Sequence, residues 1–145
     1  DEIRIYYNAC RFRGHKELHD EKYHPYFKAT SALSLATLRR DGFVSLHAEA
    51  SGELLTQPLR FQGADLYLNA DAAGGDIQVE VLNADTLEPI GALTRANSES
   101  IKSDELAHQV SWFGVDHPGS VIAESGPVRL RFYVKTAELY AFWMA

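Results

Sequence analysis

The chain has 145 residues, 46% of them hydrophobic, and a formal net charge of −6. That length suits one domain with a sizeable core, and that charge repels phosphate backbones and anionic membranes, which sets nucleic acid and membrane surfaces aside as partners. No apolar run approaches the roughly 18 residues of a membrane-spanning helix. The single cysteine, Cys10, allows no internal disulfide. Asp1 opens the chain without a Met or a signal-like stretch, as expected of a fragment or a processed chain.

In chain order, "EIRIYY" (2–7) is β-branched and aromatic and reads as a strand that pairs with the β-sandwich expected from residue 33 onward, or lies against it as an edge strand. The polar stretch 14–28 has no apolar period and contains Pro25, so it reads as a linker. From residue 33 the pattern alternates. "LSLATL" and "FVSLHAEA" flank Arg40-Asp41-Gly42, and Asp-Gly between alternating runs predicts a hairpin. "ELLTQPLRF" follows, with Pro58 marking an edge or a bulge. Residues 66–68 and 77–81 are strands split by Ala73-Gly74-Gly75-Asp76. A polar loop covers 94–105, "HQVSWF" (108–113) reads as a strand, and "GVDHPGS" as a break. In "VRLRFYVK" (128–135), Leu130, Phe132 and Val134 share one face, with Arg129, Arg131 and Tyr133 on the other. "ELYAFWMA" closes the chain.

About nine or ten strands punctuated by turns, without a long helical period, imply an all-β fold: a two-sheet antiparallel β-sandwich of jelly-roll or concanavalin-like type. Its expected core holds Leu35, Leu46, Val79, Val81, Leu130, Phe132 and Val134. A seam near residues 28–32 separates an N-terminal strand and linker (1–32) from the sandwich (33–145).

The candidate chemistry is one of binding. Arg39, Arg40 and Asp41 either grip an acidic or hydroxylated ligand or form a solvated turn tip. His15, His19 and His24 lack the His-Glu-x-x-His spacing of a metal helix and read as a wet linker, so no metal site is assigned. Asp71, Asp76 and Asp85 lie in glycine-rich loops of a kind that holds calcium, the one cofactor the loops bring to mind. Tyr67, Tyr133, Trp112 and Trp143 are aromatic faces of the kind that stack on pyranose rings, although Trp112, in phase with Val110, fits a core. Ser120 and Ser125 are not in a G-x-S-x-G elbow, and no carboxylate pair stands out. No catalytic residue is assigned.

Two stretches together carry a resemblance. "DEIRIYYNACRFRGH" (1–15) resembles the closing strand of the five-bladed β-propeller of arabinanase-, sucrase- and levanase-like glycoside hydrolases. Residues 35–46 ("LATLRRDGFVSL") and 128–142 ("VRLRFYVKTAELYAF") resemble the start and end of a β-sandwich appended to such propellers in bacterial proteins, with Ser34 where a Gly is common. The resemblance implies a non-catalytic accessory module of a polysaccharide-degrading enzyme, secreted or at the cell surface. Its partners are then the parent catalytic domain and a polysaccharide or oligosaccharide. The module is expected either to bind carbohydrate or to pack on the propeller without binding it. For binding, Tyr67, Asn69, Arg131 and Tyr133 form a shallow site provided their two strands share a sheet.

Overall fold

The computed structural model describes residues 2–10 and 31–145. These fall into two compact units, divided between Arg40 and Asp41.

In the first unit, β1 (Glu2–Cys10) and β2 (Ser31–Arg39) form a two-stranded antiparallel ladder, with Ile3 opposite Leu38 and Tyr7 opposite Ser34. The expected N-terminal strand is therefore present and longer, and its ladder partner is β2. The expected hairpin between "LSLATL" and "FVSLHAEA" is not among the ladders: its first run pairs with β1. Its second run shrinks to β3 (Leu46–Ala48), which pairs with the C-terminal strand. Leu35, expected in the core, lies in the two-stranded ladder and is 51% exposed.

The second unit is an antiparallel β-sandwich. One sheet has the order β3-β9-β5-β7, with β5 at Leu66–Asp71, β7 at Asp104–Gln109 and β9 at Ala137–Met144. The other has the order β4-β8-β6, with β4 at Gly52–Leu55, β6 at Asp76–Asn83 and β8 at Val128–Lys135. A short helix, α1 (Pro118–Glu124), occupies part of what reads in sequence as a break. Pro118 opens it at a position where the missing N–H costs nothing.

Period-two alternation builds the core. Leu130, Phe132 and Val134 from β8 and Ile77, Val79 and Val81 from β6 meet Leu66, Leu68 and Leu139 of the facing sheet, all buried. Phe132 and Phe142 touch across the layers, with ring centroids 5.2 Å apart. Leu46 departs from expectation at 52% exposed, because β3 is a three-residue edge strand. β4, flanked downstream by Pro58, is an edge strand as Pro58 implied.

The outer edge of β6 is covered rather than bare. Ile77 exchanges backbone hydrogen bonds with Ile101, the Val79 amide donates to Ser98 Oγ at 3.0 Å, and the Trp112 indole donates to the Val79 carbonyl at 3.0 Å. This satisfies groups that an open edge would present to another chain. It also fixes the 3₁₀ turn Arg95–Asn97 beside the sheet.

Candidate functional site

The outward residues of β8 define the candidate site. Alternation that buries Leu130, Phe132 and Val134 turns Arg131, Tyr133 and Lys135 to the opposite face. The register places Glu53 and Gln78 opposite Tyr133 on its two sides, and Glu80 opposite Arg131. Cross-strand neighbours at this spacing interact directly. The Tyr133 hydroxyl donates to Glu80 Oε2 at 2.8 Å, and Arg131 Nη1 lies 3.4 Å from that oxygen and 3.4 Å from the Tyr133 hydroxyl.

Glu80 is only 7% exposed. A carboxylate so placed needs partners, and the hydroxyl and guanidinium supply them. Burial pushes the Tyr133 hydroxyl above its ordinary value; the Arg131 contact opposes this and the Glu80 carboxylate reinforces it. The bond to Tyr133 in turn raises the Arg131 guanidinium, against the effect of burial.

Arg95 comes from the 3₁₀ turn. Its guanidinium sits over the Tyr133 ring, 4.0 Å from the centroid, within cation–π range. Its Nε donates to Gln78 Oε1 at 3.3 Å, while Gln78 Nε2 donates back to the Arg95 and Ser98 carbonyls. Gln78 thus ties the turn to the sheet. Beside this group lies a cleft of about 480 Å³ lined by Ser51, Gly52, Glu53, Asp76, Arg95, Tyr133, Val134 and Lys135. Its volume is within the range of small-ligand sites, and its walls offer both donors and acceptors.

At the cleft rim, the turn before β6 packs tightly on the end of β8. A Cβ on Gly75 would lie 1.8 Å from the Lys135 carbonyl oxygen, so only glycine fits there.

The four-residue site expected from sequence is split. Tyr67 and Asn69 are on β5, Arg131 and Tyr133 on β8, and these strands belong to different sheets. Tyr67 stacks on Trp143 of β9, centroids 5.7 Å apart and 16° between planes. Asn69 is 1% exposed at a ladder irregularity and offers no surface to a ligand. One face of Tyr133, expected as an open platform, is occupied by Arg95. Arg39 ends β2, and Arg40 and Asp41 form the following turn.

Trp112 is buried, as its phase implied. Of the calcium candidates, Asp71 accepts from the Ala73 amide at 3.1 Å, and no three His, Cys, Asp or Glu side chains converge among the described residues. His15, His19 and His24 lie outside the described residues. Sequence reasoning missed Glu53, Gln78, Glu80, Arg95 and Lys135, and singled out Asp76 only as a calcium candidate. The outward phase of Gln78 and Glu80 on β6 was a usable signal for two of them; Arg95, on a turn, had none.

Comparison with protein-family models, curated proteins and solved structures gives no match. The likeness to propeller-appended sandwiches therefore rests on the quoted stretches alone.

Proposed function

We propose that the sandwich is a non-catalytic carbohydrate-binding module and that its ligand occupies the cleft beside Tyr133. The observation that carries this reading is the convergence of Ser51, Glu53, Asp76, Arg95 and Lys135 around one aromatic side chain in an open cleft. Sugar hydroxyls need such mixed donors and acceptors, and a ring edge offers apolar contact to C–H groups. The resemblance to accessory sandwiches of bacterial polysaccharide-degrading enzymes points the same way, and with it a secreted or cell-surface location. An open cleft buries little ligand, so an affinity of about 10–1000 μM is expected. Affinity electrophoresis against a panel of polysaccharides tests this. Retention by at least one of them, abolished in Tyr133→Ala, supports the reading; no retention by any opposes it.

A second reading has its own observation. Phe43 and Val44 are 68% and 73% exposed, and Val44, Leu46, Leu54, Leu139 and Phe142 line an apolar groove of about 330 Å³. Such a patch favours a structural module that packs on the catalytic domain of a propeller glycosidase without holding sugar. Co-purification with that catalytic domain, lost in Phe43→Ser/Val44→Ser, is the expected result.

A further inference from the structure

We infer that the cleft selects acidic sugars, taking the carboxylate of a uronic acid residue on Arg95. This rests on the carbohydrate-binding reading above and names its ligand class.

Two guanidinium groups belong to the Tyr133 network, and they are used differently. Arg131 is matched with Glu80. Arg95 has no carboxylate within 4.0 Å among the described residues, and its Nη nitrogens make no hydrogen bond there. It is nonetheless held at two points, over the ring and through Nε to Gln78. Its position is thus set by contacts that leave the terminal nitrogens for something else. A guanidinium fork matches a carboxylate in two parallel hydrogen bonds, about twice as strong as neutral ones.

Lys135, also on the cleft wall, adds a second cation without an ion pair among the described residues. Glu53 and Asp76 then serve as acceptors for ring hydroxyls and keep the cleft from being broadly positive. The result is a local anion point on a chain of net charge −6. Such a point reads one carboxylate per site rather than the charge density of a polyanion.

Calorimetry of the full chain would use four oligosaccharides: oligogalacturonate, its methyl ester, a sulfated galactan fragment and a neutral glucan fragment. Oligogalacturonate is expected to bind at least about tenfold more tightly than its ester, the difference of one charge-assisted pair. Arg95→Gln is expected to erase that preference and Arg95→Lys to retain part of it, with a cooperative unfolding transition retained in both because Arg95 is exposed. Equal binding of acid and ester, or a preference that survives Arg95→Gln, overturns the inference. Tyr133-dependent binding of the neutral fragment alone overturns it while leaving the carbohydrate reading intact. Preference for the sulfated fragment overturns the carboxylate assignment. No binding of any of the four by a folded protein overturns both.

Discussion

The Tyr133 hydroxyl donates to Glu80 at 2.8 Å, across the ladder between β8 and β6, and so holds a nearly buried carboxylate beside Arg131. This contact links the sandwich to the cleft, because the same tyrosine ring carries Arg95 on its face.

Removing either partner should cost stability. Tyr133→Phe deletes one hydrogen bond to a charged group, a loss of about 1.5–3 kcal/mol before solvent is allowed to compensate at this half-buried site. Glu80→Ala leaves Arg131 without its carboxylate and should cost at least as much. A double-mutant cycle in urea should show the two losses to be less than additive. Full additivity would mean that the pair is not coupled.

The pH dependence follows from the raised Tyr133 hydroxyl. The unfolded chain releases this proton near 10.0, the folded chain at higher pH. The contribution is therefore fully present below pH 10 and is lost as pH rises through the folded value. Unfolding midpoints should fall above pH 10 more steeply for the parent than for Tyr133→Phe. Parallel curves would show that the shift is absent.

Trp112→Phe should destabilise by about 2–3 kcal/mol, because the Val79 carbonyl loses its donor and the buried indole leaves a void. The fluorescence of the variant then comes from Trp143 alone, the only other tryptophan, half-exposed against Tyr67. Its emission should shift to the red relative to the parent.

Gly75→Ala is expected to cost more than about 2 kcal/mol, since its Cβ would collide with backbone at Lys135. Gly74→Ala, with 3.2 Å to the nearest atom, should cost less. Chemical denaturation of the two variants side by side checks the order, and a reversal would place the tight contact elsewhere.

What the sequence made legible was facing, and what it hid was partnership. β8 matches its expected range residue for residue, because Leu130, Phe132 and Val134 alternate with Arg129, Arg131 and Tyr133 without exception. Period two says which side a residue faces; it does not say which strand lies alongside. "LSLATL" reads equally well as half of a local hairpin and as the partner of β1, and the structure takes the second. Positive φ falls on Asp41 instead of on Gly42, so the turn is not the Asp-Gly hairpin its composition implied. Tyr67 and Tyr133 are both outward, as their phases said, yet on opposite sheets, because sheet order here interleaves strands distant in sequence. Arg95 reaches the site through Ser98, Gln78 and the covered edge of β6, contacts between segments about twenty residues apart that leave no local mark.

The most direct measurement of a carbohydrate site in the cleft is an amide chemical-shift titration with a polysaccharide fragment retained in the affinity screen. Saturable shifts are expected at Gly52, Glu53, Asp76, Arg95, Tyr133 and Lys135, with Tyr67 and Asn69 unmoved. Shifts centred on Tyr67 and Trp143, or none at the cleft while the fragment binds, would contradict it.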